Sequence, residues 1–177
     1  MRINITGNAG VGKTTLSKRL SAELGLPLIE MDRIVWGPGW KEVPKDERER
    51  RLLPLLEQEV WVVDGVSRKA RELADIIVFI DLPSSLCVWR CARRILKYGL
   101  GARAGLPPHC PEWKIIPRLL QIIYKFPSTA RKIILEDIGK RNRSDLILRS
   151  QNEINDLYKL SVNEKSLESL LFKEMQK

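Results

Sequence analysis

The sequence is poor in the residues that several common protein classes require. It has one histidine, His109, and nothing patterned around it that would make a hydrolytic triad. Its three cysteines, Cys87, Cys91 and Cys110, are an odd number without the spacing of a disulfide framework, which points to a reduced, cytoplasmic compartment. No apolar run reaches the roughly 18 residues of a membrane helix. Met1 leads straight into a polar-punctuated strand pattern, so no signal peptide is expected. Hydrophobic residues at 44% and charged residues at 30% exclude a disordered chain, a collagen and a coiled coil. The 177 residues suit one domain. At this length a chain buries about 70% of its unfolded surface and needs no covalent staple.

What the chain does have is positive charge in one place. The net charge is +9, from 31 Lys/Arg against 22 Asp/Glu. Residues 1–88 hold 13 of each sign and residues 146–177 hold 5 of each, so the whole excess falls in 89–145, with 13 basic and 4 acidic residues. Such a stretch either meets a polyanion, nucleotide or nucleic acid, or is a solvated basic surface.

Strand and helix patterns alternate. Strands are expected at 2–6, 28–31, 61–63, 76–80 and 146–148, and helices at 14–24, 46–59, 84–97, 118–125, 129–139 and 150–160. Residues 33–45, with Gly37, Pro38, Gly39 and Pro44, read as a loop carrying two tryptophans. Residues 98–117 read as a mobile basic segment rich in Gly and Pro, and 161–177 as a weakly specified helical tail. The alternation predicts an α/β fold with a parallel sheet covered on both faces. Ligands of such folds bind at the carboxyl ends of the strands, where this chain has Gly7, Asp32, Asp64 and Asp81.

The strongest motif is Gly7-Asn8-Ala9-Gly10-Val11-Gly12-Lys13-Thr14, which fits G-x-x-x-x-G-K-[ST] between a predicted strand and a predicted helix. Backbone N–H groups of such a loop wrap phosphates, and the helix N-terminus adds its positive end. Lys13 is expected on the β- and γ-phosphates, the Thr14 hydroxyl on Mg²⁺, and Thr15 on a nearer phosphate. A GTPase is excluded: Asp64-Gly65-Val66-Ser67 could stand for D-x-x-G, but there is no N-K-x-D.

With these residues the chain resembles the adenylate-kinase-like P-loop kinases over most of residues 1–160. More narrowly it resembles the bacterial group of DNA topology modulation proteins, through Met31-Asp32, Trp36-Gly37-Pro38-Gly39-Trp40 and Trp61-Val62-Val63-Asp64-Gly65. The resemblance implies a three-layer P-loop NTPase fold with five parallel strands in the order 2-3-1-4-5. It implies a single domain over 1–177, with an acceptor-binding insert at 33–59 and a short lid at 95–117. It also implies Mg-ATP as phosphoryl donor. Where adenylate kinases carry D-G-F-P-R, this chain reads Asp64-Gly65-Val66-Ser67-Arg68, so Asp64 is expected to hold Mg²⁺ partly through water and Arg68 to grip an acceptor phosphate. Asp81, Arg90 and Arg94 keep a family spacing in which the first arginine lies against adenine and the second reaches phosphate. Arg118, Lys125 and Arg131 are expected among the later cations that stabilise the transferring group. Lid zinc is not expected, because the paired short spacings it needs are absent.

Several small-molecule kinases place a carboxylate against an acceptor hydroxyl at this strand end, a resemblance that implies that Asp32 accepts that proton or positions magnesium, and Trp36 and Trp40 either stack on an acceptor ring or cover the core. The sequence therefore reads as a cytoplasmic ATP-dependent phosphotransferase acting on a nucleotide or another small molecule, with Lys13, Asp32, Arg90 and Arg94 catalytic. A nucleic-acid-associated ATPase using 89–145 is the less favoured alternative, and a nucleotide sensor that transfers nothing is a third. No membrane partner is expected.

Overall fold

The computed structural model describes residues 1–98, 110–141 and 145–161. The central sheet is built from β1 (Arg2–Gly7), β2 (Leu28–Glu30), β5 (Trp61–Asp64), β6 (Ile76–Ile80) and β7 (Leu146–Leu148), all parallel, in the spatial order β2-β5-β1-β6-β7. The labels depart from 2-3-1-4-5 only because a separate ribbon, β3 (Trp36–Gly37) with β4 (Lys41–Glu42), takes two numbers along the chain. Both faces of the sheet are covered, which its near-continuous apolar strands require.

Alternation along each strand divides the core. Ile3, Ile5, Val62, Val78 and Ile80 face one side, with Leu16 and Leu20 of α1 (Lys13–Glu23), Cys87 and Cys91 of α5 (Ser84–Tyr98), Leu119 and Ile123 of α6 (Ile116–Lys125), and Ile154 of α8 (Gln151–Ser161). Trp61, Val63, Ile77 and Phe79 face the other. There they meet Ile34 of α2 (Met31–Val35), Leu52 and Leu56 of α3 (Lys45–Leu56), Ala70 of α4 (Arg68–Leu73) and Ile134 of α7 (Ala130–Lys140). The free cysteines are thus packing residues, and burial with the neighbouring Cys91 pushes the Cys87 thiol up to about 11. Among the described residues no helix is long and apolar enough to cross a membrane.

Two expectations change. The second strand stops at Glu30, so Asp32 belongs to the first turn of α2 rather than to the strand end. Residues 33–45 are not a plain loop. Pro38-Gly39 sits in a tight 3₁₀ turn, with Gly39 at φ 71°, which lets Trp36 pair with Glu42 and Gly37 with Lys41. Of the expected lid, 95–117, residues 99–109 lie outside the described residues, while 95–98 continue α5 and 112–117 form a 3₁₀ turn, Glu112–Ile115, and the start of α6 rather than a mobile segment; the expected tail, 161–177, lies outside the described residues beyond the last residue of α8.

Helix α4 is tied to α7 by the buried Arg71, whose Nε donates to Asp137 Oδ2 at 2.8 Å. Removing the acceptor leaves a buried cation without its counter-charge, so Asp137→Ala should cost about 2–3 kcal/mol of stability in denaturant unfolding. Arg71→Met, which removes the charge itself and keeps the apolar stem, should cost less.

Candidate active site

The phosphate loop connects β1 to α1 at the carboxyl edge of the sheet and is held from below. Gly10 has φ 81°, and a Cβ there would stand 2.8 Å from both the Cys87 carbonyl oxygen and Cys91 Sγ. The loop can therefore lie on α5 only where a side chain is missing. Asn8, 2% exposed, holds it from the side: its Oδ1 accepts from the Ala9 N–H at 2.8 Å and its Nδ2 donates to the Ile123 carbonyl of α6 at 3.1 Å. Asn8 and Val11, both buried, contribute main chain to the loop rather than side chains to the cavity above it.

That cavity has a volume of about 990 Å³. Gly7, Ala9, Gly10, Gly12, Lys13, Thr14 and Thr15 form its floor, Asp32, Asp64 and Gly65 one wall, and Trp36 and Trp40 of the ribbon a second. Residues from Ile115 to Ala130, chiefly on α6, form a third, with Arg90 and Arg94 completing the rim. Arg118 and Lys125 were expected among the later cations, and both line this wall; its apolar part was not expected. An amphipathic helix announces a buried face, not the neighbour that its other residues overlook.

Lys13 and the two carboxylates share one electrostatic neighbourhood. Lys13 Nζ donates to the Asn8 carbonyl at 2.8 Å, and burial lowers its pKa against the opposing pull of Asp64 and Asp32. Burial holds the Asp64 carboxyl above the usual carboxylate range, opposed by Lys13 and by a hydrogen bond with the Thr14 hydroxyl. Packing brings the carboxylates together. Gly65, at φ 135°, lies so close to Met31 that a Cβ would meet the Met31 side chain at 2.7 Å, and Asp64 and Asp32 flank this contact. Asn4 fixes the strand end, donating to the Val63 and Gly65 carbonyls at 3.3 and 3.2 Å. Asp64 Oδ1 is buried without a hydrogen-bond partner among the described residues. An unmet carboxylate oxygen beside a threonine hydroxyl is an all-oxygen donor set that suits a hard divalent cation.

The cations divide. Arg90 donates through Nη1 to the Val11 carbonyl at 3.0 Å and through Nη2 to Gln151 of α8; Arg94 lies beside it on the rim. Arg118 and Lys125 line the α6 wall. Arg118 lays its guanidinium 4.8 Å from the centroid of Trp36, which meets Trp40 edge-on at 5.5 Å. The ribbon is anchored by Trp40, whose backbone N–H donates to the buried Cys110 Sγ at 3.3 Å and whose Nε1 donates to the Pro111 carbonyl at 2.9 Å.

Two expected positions fall elsewhere. Arg68 does not reach the cavity. Ser67 accepts the Ala70 N–H at 3.2 Å and caps α4, which makes Arg68 the first residue of that helix, 82% exposed and paired with Glu72 at 2.8 Å. Arg131 is held bidentately by Asp81, both bonds at 2.8 Å, so the Asp81 carboxylate is engaged by α7.

A phosphate loop between the central strand and its helix, in a parallel sheet of this order, makes the chain a P-loop α/β protein. No protein-family model matches it, and no curated protein does. Among solved structures it is similar to shikimate kinase from Bacteroides thetaiotaomicron (19% identity, TM-score 0.43, covering 96% of this chain and 95% of that one). It is also similar to shikimate kinase from Acinetobacter baumannii in complex with shikimate (21%, 0.41, 80% and 95%). A third is gluconokinase from Sinorhizobium meliloti 1021 (19%, 0.37, 76% and 96%).

The contact beneath the loop gives a direct test. Gly10→Ala forces the loop off α5, so nucleotide affinity should fall at least about tenfold, measured by equilibrium binding, with the far-ultraviolet circular dichroism spectrum unchanged.

Proposed function

We propose that this protein is an ATP-dependent phosphotransferase that moves the γ-phosphoryl group of Mg-ATP to a hydroxyl of a small-molecule acceptor. The observation that carries this reading is one cavity floored by the phosphate loop and walled by Asp32 and Asp64, each close enough to Lys13 to shift its titration. About 990 Å³ is room for a nucleotide together with a second small molecule.

The residues suggest a division of labour. Backbone N–H groups of 7–15 and Lys13 would hold the phosphates. Thr14 and Asp64 would hold Mg²⁺, which supplies charge neutralisation on the phosphate oxygens. Arg90, tied to Val11 and Gln151, would border the adenine, with Arg94 turned to phosphate. Asp32 would accept the acceptor hydroxyl proton as that oxygen bonds to the γ-phosphorus and the bond to the bridging oxygen breaks, giving ADP and a phosphate ester. A carboxylate in this position favours a hydroxyl over a phosphate as nucleophile, since it would repel an attacking phosphate oxygen. The outward Arg68 likewise speaks against the acceptor-phosphate grip of adenylate kinases. On this reading 33–59 is the acceptor-binding insert.

The placement of the basic stretch supports an enzyme over a nucleic-acid-associated ATPase. Arg90, Arg94, Arg118 and Lys125 line the cavity. Arg131 is held by Asp81, and Arg141 by Asp145 and the carbonyls of Arg71 and Ala74. Cations used this way do not make a continuous stripe for a duplex backbone.

Lys13→Ala should lower acceptor-dependent ADP release by about 100-fold or more without unfolding the protein, because its charge acts on the transferring group. Release at the wild-type rate would remove the reading. Asp64→Asn should abolish the gain in nucleotide affinity that Mg²⁺ gives the wild type, measured by titrating a fluorescent ATP analogue with and without the metal. Matching metal dependence in both proteins would make Asp64 a structural residue only.

A further inference from the structure

The Ile123 carbonyl that meets Asn8 lacks its ordinary helical partner. In an α-helix a carbonyl accepts from the N–H four residues further on. Four residues after Ile123 stands Pro127, which has no N–H to give. The backbone is otherwise set for that bond: Phe126 donates to the Ile122 carbonyl, and Lys125 (φ −78°, ψ −23°) and Phe126 (φ −52°, ψ −46°) both lie in the α region. Ile123 is fully buried, so its carbonyl needs a donor from the protein. It finds Asn8 Nδ2, 115 residues away in the chain, at 3.1 Å.

Asn8 can meet this carbonyl in one orientation only. Its Oδ1 is taken by the Ala9 N–H at 2.8 Å, which turns Nδ2 toward α6. The main-chain carbonyl of the same residue accepts from Lys13 Nζ at 2.8 Å. One buried residue therefore joins the turn of the loop, the ammonium and α6. Of these, α6 is the firm partner, because Leu119 and Ile123 lock it into the core, whereas a glycine-rich loop yields easily. We infer that Asn8 is a positioning residue: from the side, and through a carbonyl that Pro127 leaves open, it holds the phosphate loop and Lys13 where they meet the nucleotide. This deepens the donor half of the phosphotransferase reading and rests on it. It gives a task to a position that the G-x-x-x-x-G-K-[ST] pattern leaves free. A bond that served stability alone could be replaced by any other donor to Ile123, whereas a bond that places the loop could not.

Pro127 supplies the test, since it is exposed and does not line the cavity. Pro127→Ala offers the Ile123 carbonyl an N–H from its own chain segment. Wild type, Asn8→Ala, Pro127→Ala and the double variant are compared by thermal unfolding and by affinity for a fluorescent, non-hydrolysable ATP analogue with Mg²⁺. Asn8→Ala should melt at a lower temperature and bind the analogue at least about tenfold more weakly. The double variant should regain most of the lost melting temperature while its affinity stays at the Asn8→Ala level, because Ala at 127 replaces the donor and not the bridge. Pro127→Ala alone should bind within about twofold of the wild type, since a carbonyl oxygen has a second lone pair and Asn8 keeps its bond. If Asn8→Ala does not fold, the double variant against Pro127→Ala carries the same comparison. Affinity that returns with stability in the double variant makes the bond structural only and overturns the inference. So does a double variant no more stable than Asn8→Ala, a Pro127→Ala variant that binds as weakly as the double, or a wild type that does not bind the analogue. ADP release from Mg-ATP by the wild type is measured separately with a series of small alcohols and polyols. If the variants behave as expected and no compound stimulates release, the role of Asn8 stands and the phosphotransferase reading falls. Stimulated release together with restored affinity in the double variant gives the reverse result.

Discussion

The site depends on how closely the phosphate loop can be laid on the helices beneath and beside it. Gly10 rests on the Cys87 carbonyl and Cys91 Sγ of α5 with no room for a side chain, and Asn8 bonds the loop to the Ile123 carbonyl of α6. The first contact sets the height of the loop above the sheet. The second fixes α6, and with it Arg118 and Lys125, relative to Lys13. Binding donors aimed at phosphate are useful only when they need not rearrange as charge develops. Here that pre-organisation comes from one missing Cβ and one buried amide, not from a wide net of ion pairs.

Burial then sets the electrostatics. Taken from water, Lys13 is pushed toward its neutral form and Asp64 toward its protonated form, while each partly restores the charge of the other. An incoming polyphosphate and a cation would complete both at once. This gives a physical reason for placing a lysine at the start of α1 beside an acid at the end of β5: each is costly alone in such a pocket and less so with its counterpart.

Much of this was legible in the sequence, and the exceptions have identifiable causes. The five strands and the phosphate loop follow from apolar runs and glycine spacing, which are local signals. The convergence of Asp32 and Asp64 followed from the rule that ligands gather at carboxyl ends of strands, even though Asp32 lies in α2. The ribbon was missed because two-residue strands leave almost no periodicity, although Pro38-Gly39 marks its turn. Arg68 was misplaced because a motif was matched by position. The residue that decides its direction is Ser67, a helix cap where the related motif has proline, and capping turned the arginine outward. Asn8 and Ile123 lie 115 residues apart, and no local pattern announces a bond between them.

The same substitution bears on what the cavity selects. With Arg68 outside, the cavity keeps Asp32, Trp36, Trp40 and Arg118 of α6 beside the phosphate loop. An arginine arriving from α4 would have faced the sheet edge where Asp64 stands. Arg118 arrives from the opposite wall and is turned by Trp36 and Glu42 toward the ribbon. The described positive charge of 89–145 is thus divided by the fold: Arg90, Arg94, Arg118 and Lys125 line the cavity, while Arg131 and Arg141 are held by Asp81 and Asp145. On the phosphotransferase reading, the described cations that line the cavity are separate contacts on one ligand site, although along the chain they look like a nucleic-acid patch.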